Sequence, residues 1–424
     1  MTLTQLHELF LKHPKAFTDT RKIKKDGIFF ALKGPSFNGN KFAEQALEKG
    51  VSFAVIDEKA YAKDKRFILV DNVLETLQKL AIYHRNFSKA KVIGLTGSNG
   101  KTTTKELINE VLSKKYKTIA TKGNLNNHIG VPLTLLTIKE DTEFAIIEMG
   151  ANHQGEIAFL SGLCQPDYGY ITNFGKAHLE GFGGVEGVIK GKSELYKYLT
   201  SNDKYVFLNA DDAIQKEKLS TYVKKFGFSI TNHEYYKIEL VQVNPFVEIK
   251  LENLHIKTHL IGTYNFPNCC AAILMGKYFN VSIANIKEAL EGYIPENNRS
   301  QLIEKNSHKI TLDAYNANPT SMEAALESFK TSTTENKVLF LGDMFELGDE
   351  AESEHQHIAD LALRLQFSEV FLVGENFMKV QTSYKQFESF NNLQSYLEKN
   401  QLPPCHILIK GSRGMAMERI LDVL

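Results

Sequence analysis

The chain has 424 residues, 43% of them hydrophobic, which is enough for ordinary globular cores and for about three domains. Basic and acidic residues number 50 each, so no net field favours nucleic acid or an anionic membrane as a partner. No segment approaches the ~20 apolar residues of a membrane span, and the N-terminus lacks the unbroken apolar stretch of a signal peptide. The four cysteines show no metal-ligand spacing and are expected to be buried thiols. Together these features predict a soluble, cytoplasmic enzyme.

Residues 1–86 alternate short apolar strands with helical stretches, which predicts a small α/β domain. The strands are expected at 27–32, 53–56 and 67–70, and the helices at 41–49 and 73–85. The polar residues 86–91 resemble a linker.

Residues 87–297 are predicted to form a central domain in which apolar strands alternate with helices, as in a parallel sheet buried on both faces. The strands are expected at 91–95, 144–148, 168–173 and 205–209, and the helices at 102–113, 185–199, 265–278 and 283–290. Between residues 234 and 261 the alternation is strand-like without helices, which predicts a small antiparallel addition.

Residues 298–424 are predicted to form a third, Rossmann-like α/β domain. Its strands are expected at 309–313, 338–341, 369–373 and 406–410, and its helices at 321–330, 352–365 and 415–424. The fold class is therefore α/β throughout.

A glycine-rich turn between a predicted strand and a predicted helix carries the sequence T-G-S-N-G-K-T-T. Its backbone N–H groups can surround a polyphosphate, Lys101 can neutralise it, and Thr102 can offer a hydroxyl to Mg²⁺. Leu95 stands where the usual motif has its first glycine. A plain hairpin turn is the alternative, but the flanking strand and helix favour a phosphate loop for ATP or GTP.

Three further residues are candidates for chemistry. Glu148 is the carboxylate at the end of an apolar strand, which favours a metal ligand over a core acid. His178 follows another apolar strand and is either a functional group or a solvated loop residue. Lys192, from the sequence alone, is interpreted as a surface lysine on a helix. His355 and His357 do not share a helix face and are expected to be solvated.

Several motifs in order resemble the Mur ligases, the ATP-dependent amide-forming enzymes of peptidoglycan precursor synthesis. They are the phosphate loop and residues 123–134, 148–157, 172–180 and 262–272. In the third domain, residues 312–322, 341–348 and 410–418 are similar to the family member that joins D-Ala-D-Ala to UDP-N-acetylmuramoyl-tripeptide.

The resemblance implies that ATP phosphorylates the tripeptide carboxylate and that the D-Ala-D-Ala amine attacks the acyl phosphate. It implies catalytic roles for Lys101, Glu148, His178 and Lys192. Two Mg²⁺ ions would be held by Thr102, Glu148, His178 and a carbamylated Lys192. The nucleotide site would comprise Gly97, Ser98, Asn99, Gly100, Lys101, Thr102, Thr103, Asn265, Asn268, Arg299 and Asp313. Substrate contacts would come from Thr20, Arg21, Asn38, Asn126, Asn127, Asn316, Asn318 and Ser321.

Two alternatives stay open. The sibling ligase that adds the third amino acid carries Asp-Asn-Pro-Arg, where this chain has Ala317-Asn318-Pro319-Thr320, so the missing arginine disfavours it. The other alternative is a non-ligase phosphate-loop ATPase or a GTPase switch. The GTPase is disfavoured because the central domain lacks the guanine-reading Asn-Lys-x-Asp motif. We expect a monomer whose third domain rotates onto the central one when ligands bind. The third residue of the tripeptide is left open.

Overall fold

The computed structural model describes residues 1–296, 298–332 and 336–424. It confirms the α/β class: three sheets that are parallel or mostly parallel follow one another along the chain, with helices between their strands. The boundaries at 86/87 and 297/298 stay predictions, and residue 297 lies outside the described residues. Across the described ranges, no helix is both long and apolar enough to cross a membrane.

The first sheet has four parallel strands in the order β1-β2-β5-β6, beside the β3-β4 hairpin. The strands are β1 (Ala16–Phe17), β2 (Ile28–Phe30), β3 (Lys33–Gly34), β4 (Phe37–Asn38), β5 (Phe53–Ile56) and β6 (Phe67–Leu69). The helices are α1 (Leu3–Lys12), α2 (Ala43–Glu48) and α3 (Val73–Phe87). Of the predicted linker 86–91, only residues 88–90 lie between α3 and the strand that begins at Lys91. Arg85 of α3 donates to the Asp167 carboxylate at 2.7 Å, which ties α3 to the central part.

The central sheet has seven strands, all parallel, in the order β13-β12-β11-β10-β7-β9-β8. They are β7 (Lys91–Thr96), β8 (Thr118–Ala120), β9 (Phe144–Glu148), β10 (Tyr168–Ile171), β11 (Tyr205–Asn209), β12 (Lys225–Ser229) and β13 (Tyr236–Lys237). The predicted antiparallel addition is confirmed as β14 (Glu239–Gln242), β15 (Glu248–Leu251) and β16 (Leu254–Lys257).

Helices cover both faces of the central sheet, which explains why its middle strands are continuous runs of buried apolar residues. They are α4 (Lys101–Ser113), α5 (Gly130–Leu135), α6 (Glu156–Cys164), α7 (Leu179–Phe182), α8 (Val185–Ser201), α9 (Ala213–Lys218), α10 (Phe266–Tyr278) and α11 (Ile283–Gly292).

The third sheet has six strands in the order β17-β18-β22-β19-β20-β21, parallel except for the edge strand β17. They are β17 (Gln301–Lys305), β18 (His308–Asp313), β19 (Lys337–Gly342), β20 (Glu369–Val373), β21 (Lys385–Phe387) and β22 (His406–Lys410). The helices are α12 (Pro319–Thr331), α13 (Ala351–Arg364) and α14 (Phe390–Leu397).

Two predictions about this last part are wrong. The helix expected at 415–424 is a pair of 3₁₀ segments, because Ala416 between them adopts a left-handed φ of 47° that interrupts α-helical hydrogen bonding. His355 is fully buried rather than solvated. Its Nδ1 donates to the Ala351 carbonyl, and its Nε2 accepts the N–H of Met344. The expected burial of all four cysteines is confirmed.

Candidate active site

A cleft of about 470 Å³ lies where the carboxyl ends of the central strands face the third sheet. Parallel sheets place their ligand-binding groups at this edge, since the loops there are free to carry them. The cleft wall combines the phosphate loop with polar residues from both parts. Those from the central part include residues 98–103, Asn124, Asn126, Asn127, Glu148, His178, Asn265 and Asn268, and those from the third part include Arg299, Asp313, Tyr315, Asn316, Asn318, Thr320, Ser321 and Lys410.

The phosphate loop follows β7 and begins α4. Gly97 has a φ of 143°, and a Cβ there would lie 2.0 Å from the Thr172 hydroxyl oxygen, so only glycine fits. Gly100, with a φ of 76°, caps α4 and lies against Asn268. The loop is thus held close to the neighbouring strand, with its N–H groups and the positive end of α4 directed at the cleft.

Lys101 extends across this loop. Its Nζ donates to the carbonyls of Gly97 at 2.8 Å and Ser98 at 3.1 Å. Burial lowers the pKa of Lys101 to about 8, with the Glu148 charge opposing the shift and Arg299 adding to it. Polyphosphate oxygens bound in this loop would therefore stabilise the protonated form of Lys101.

Glu148 ends β9 and is only 2% exposed. Its Oε1 accepts the Asn126 amide at 2.8 Å, whereas its Oε2 is buried and has no hydrogen-bond partner. Thr102, also buried, lines the same cleft. An unsatisfied carboxylate oxygen and a hydroxyl that line one cleft fit Mg²⁺, which prefers one or two protein oxygens together with phosphate oxygens and water. Among the described residues no group of three His, Cys, Asp or Glu side chains is arranged to hold a metal.

His178 reaches the cleft from the loop after β10, in a left-handed conformation with a φ of 54°. Its Nδ1 donates to the Glu346 carboxylate of the third part. This hydrogen bond lowers the pKa of Glu346. His178 is thus a contact between the two parts and not a solvated loop residue.

Lys192 is fully buried on α8, so its interpretation as a surface lysine is wrong. Its Nζ donates to the Ala151 carbonyl at 2.9 Å and lies 4.7 Å from the centre of the Phe182 ring. Burial, followed by the charge of Lys101, places the pKa of Lys192 well below its ordinary value. Ala151 lines the cleft, which puts Lys192 one layer beneath the wall.

Asn265, just before α10, and Asn268, on α10, are the two asparagines predicted for the nucleotide site. They are linked by hydrogen bonds next to the phosphate loop. Asn265 donates to the Ile261 carbonyl at 2.8 Å, and its Oδ1 accepts the Asn268 amide at 2.9 Å. The Asn268 Oδ1 accepts the Thr104 hydroxyl at 3.0 Å. These bonds fix the amides at the cleft wall and leave the Asn265 and Asn268 side chains with few free polar atoms.

The third part contributes a charged group opposite the loop. Asp313 accepts the Ser300 N–H at 3.0 Å and the Lys410 ammonium at 2.6 Å. The Arg299 guanidinium stacks 3.7 Å from the centre of the Tyr315 ring. Cations from both parts therefore face one cleft, as binding of a polyphosphate requires.

Comparison with known proteins agrees with this architecture. Three family descriptions match in succession: "Mur ligase family, catalytic domain" over residues 17–85, "Mur ligase middle domain" over 95–276 and "Mur ligase, glutamate ligase domain" over 298–413. The UDP-N-acetylmuramoyl-tripeptide–D-alanyl-D-alanine ligase of Bacillus subtilis is 36% identical, across 96% of this chain and 92% of that protein. The enzyme of that name from Escherichia coli is 33% identical over the same shares. This chain belongs to the Mur ligase family.

Solved structures of Mur ligases share the whole fold. MurF from Acinetobacter baumannii superposes with a TM-score of 0.84 at 30% identity, over 96% of this chain and 92% of that one. MurF from Thermotoga maritima, solved in complex with ADP, has a TM-score of 0.83 at 24% identity and covers 97% of both chains. The latter comparison concerns the fold alone.

The residues predicted to contact the substrate of this Mur ligase fall into two groups. Five line the cleft: Asn126, Asn127, Asn316, Asn318 and Ser321. Three lie in the first part and are not among the residues that line it: Thr20, Arg21 and Asn38. The Asn38 side chain donates to Glu58 and accepts from Asn40, and Arg21 pairs with Asp19.

Lys410 and Tyr315 line the cleft of this Mur ligase and Thr121 contacts the Glu148 main chain, but the sequence predicted no role for any of them. Lys410 could have been found by the argument used for Glu148, because it ends the apolar strand β22 as a single buried charge. Tyr315 and Thr121, whose hydroxyl accepts the Glu148 N–H at 2.9 Å, carry no such signal.

Proposed function

We propose that this Mur ligase joins D-Ala-D-Ala to UDP-N-acetylmuramoyl-tripeptide, with conversion of ATP to ADP and phosphate. The supporting observation is the single cleft in which a phosphate loop and an unpartnered Glu148 oxygen face polar residues of the third part. Full-length relatives bear the name of this reaction. Since one chain supplies the whole cleft, the monomer is the proposed active unit. Because ATP and a UDP-linked precursor are the proposed substrates, a cytoplasmic location is part of this proposal.

In the proposed reaction, a tripeptide carboxylate oxygen attacks the γ-phosphorus of ATP, and ADP leaves. The amine of D-Ala-D-Ala then attacks the acyl carbon; the amide forms as phosphate departs and the amine proton is released. Lys101 and the loop N–H groups hold the charge that accumulates on the transferred group. Mg²⁺, when bound at Glu148 and Thr102, would supply further neutralisation. The protein contributes mainly orientation and charge complementarity.

A carbamylated Lys192 is part of this proposal. Carbamate forms from CO₂ and an unprotonated amine, and the burial that lowers the pKa of Lys192 favours that form. The product would be an anion beneath the cleft wall, beside Ala151. Together with His178 at the cleft, this carbamate would supply a ligand for a second Mg²⁺ ion, which would add positive charge near the reacting carboxylate.

The experiment that tests the reaction is ATP turnover with and without UDP-N-acetylmuramoyl-tripeptide and D-Ala-D-Ala, with products identified by mass. We expect turnover that requires both substrates and yields one amide. UDP-N-acetylmuramoyl-dipeptide with a free diamino acid, in place of both substrates, tests the sibling activity. That alternative loses support because Thr320, where the sibling has arginine, accepts the Lys176 N–H at 2.9 Å. Hydrolysis without substrates and without amide would overturn the ligase assignment in favour of a plain ATPase.

A further inference from the structure

The tip of the phosphate loop touches the first turn of α12 through two side-chain amides. The Asn318 Nδ2 donates to the Asn99 Oδ1 at 2.7 Å, and the Asn99 Nδ2 lies 3.4 Å from the Asn318 Oδ1. The two residues are 219 positions apart and belong to the central and third parts. Asn318 is only 9% exposed, so the shorter bond is shielded from competing water.

Each partner in this pair is held in place by its own main chain. The Asn99 N–H donates to the Asn173 side chain at 3.1 Å, and its carbonyl accepts the Thr172 hydroxyl at 2.5 Å. Asn318 is the N-cap of α12: its Oδ1 accepts the Ser321 N–H, and the Ser321 hydroxyl accepts the Asn318 N–H. The cap already orders the Asn318 side chain, and the Asn99 main chain is fixed. Pairing therefore costs little conformational entropy beyond that of the Asn99 side chain.

Both residues of the pair line the cleft. On one side, the main-chain N–H groups of the phosphate loop are the expected polyphosphate donors. On the other side, Asn318, Thr320 and Ser321 of α12 form the opposite wall. Because the Asn99–Asn318 pair joins these two sides, a shift of the loop tip on nucleotide binding would displace the wall contributed by the third part.

We propose that Asn99 and Asn318 form an amide latch that seats α12 on the nucleotide-loaded phosphate loop and so raises the affinity for the acceptor dipeptide. The Asn99 side chain is then a positioning group rather than a phosphate ligand, and Asn318 acts through the position of α12 rather than by binding substrate. This role deepens the proposed ligase reaction and rests on it.

The decisive variant is Asn318→Ser. Serine retains an N-cap oxygen for α12 but is too short to reach Asn99. We expect kcat/KM for D-Ala-D-Ala to fall by about tenfold, the effect of one lost hydrogen bond, while the dissociation constant of ADP is unchanged. Asn99→Ala should likewise lower kcat/KM for D-Ala-D-Ala and leave the dissociation constant of ADP unchanged. The double variant should be no worse than either single one, because both remove the same contact.

The matched control is Asn244→Ala, which removes a 2.7 Å bond to the Thr331 carbonyl at the far end of α12. That bond also joins the central and third parts but touches no loop residue, so acceptor kinetics should stay as in the unmodified protein. The latch would be overturned if the losses of the Asn99 and Asn318 variants multiplied in the double variant. It would also be overturned if Asn318→Ser had the same acceptor kinetics as the control.

Small-angle scattering gives a second measurement that does not need turnover. We expect Mg²⁺ and ADP to make the unmodified protein more compact than Asn318→Ser under the same conditions. Equal scattering curves for the two proteins would contradict the latch. If the unmodified protein forms no amide, the proposed reaction fails, but this comparison still decides whether the amide pair couples nucleotide to α12.

Discussion

Lys101 is a partly buried cation whose pKa is lowered to about 8, so its charge depends on pH just above neutrality. Its pKa of about 8 is set by burial, and bound phosphate would raise it, so the protonated form is the one that binds nucleotide. We expect the affinity for ADP to be constant below pH about 8 and to weaken above it, by up to about tenfold per pH unit.

Isothermal calorimetry of ADP binding between pH about 7 and about 9 measures this dependence. Lys101→Arg is the control, because arginine stays charged throughout the range and should give a flat profile. A flat profile for the unmodified protein would contradict the assigned protonation.

Lys192 is the second lysine whose pKa burial lowers. Replacement by alanine should reduce the rate at least about a hundredfold, as removal of a transition-state stabilising group does in other enzymes. Protein equilibrated with ¹³C-bicarbonate should give a carbamate carbon signal that Lys192→Ala lacks. A spectrum without that signal in the unmodified protein, or full activity of the variant, would be evidence against the modification.

At the scale of elements, the turn from β7 into α4 has no room for a side chain. A Cβ at Gly97 would lie 2.0 Å from the Thr172 hydroxyl oxygen, so the strand or the loop must move. We expect Gly97→Ala to lower the free energy of unfolding by about 1–3 kcal/mol and to abolish ADP binding.

Gly162 supplies the matched substitution. It lies within α6, and a Cβ there meets nothing within 4 Å. Gly162→Ala should raise the free energy of unfolding by about 0.5–1 kcal/mol and leave ADP binding unaltered. Urea unfolding and calorimetry of both variants check the pair; normal ADP affinity in Gly97→Ala would show that the loop is misassigned.

At the scale of the whole molecule, a salt bridge crosses between the central and third parts. The Lys176 ammonium lies 2.6 Å from a Glu354 oxygen, with side chains 43% and 7% exposed. The pairing raises the pKa of Lys176. The other Glu354 oxygen is buried without a hydrogen-bond partner, so the carboxylate depends on this lysine.

We therefore expect Lys176→Met to lower the free energy of unfolding by about 1 kcal/mol, because it leaves a buried carboxylate without its counter-charge while the lysine itself is partly solvated. Lys176→Met combined with Glu354→Met should recover most of that loss. The urea midpoints of the single and double variants test this; a double variant as unstable as the lysine variant alone would contradict it.

The sequence predicted those features that local pattern determines. Buried parallel strands such as Phe144–Glu148 and Glu369–Val373 have the bounds expected, since charged residues or glycine flank their continuous apolar runs. Burial of Lys192 and His355 was not predicted, because helical spacing does not reveal what packs against a helix. The Asn99–Asn318 contact joins residues 219 positions apart, and only the packing of two sheets brings them together.

The buried cysteines have a practical consequence. Burial raises the pKa of Cys164 and Cys269 to about 12 and that of Cys405 to about 11, and Cys270 shifts in the same direction. Thiolates are the reactive form, so these four side chains should be nearly inert to maleimides at neutral pH. One cysteine introduced on the surface of each part would then accept a fluorophore selectively, with every native thiol left in place.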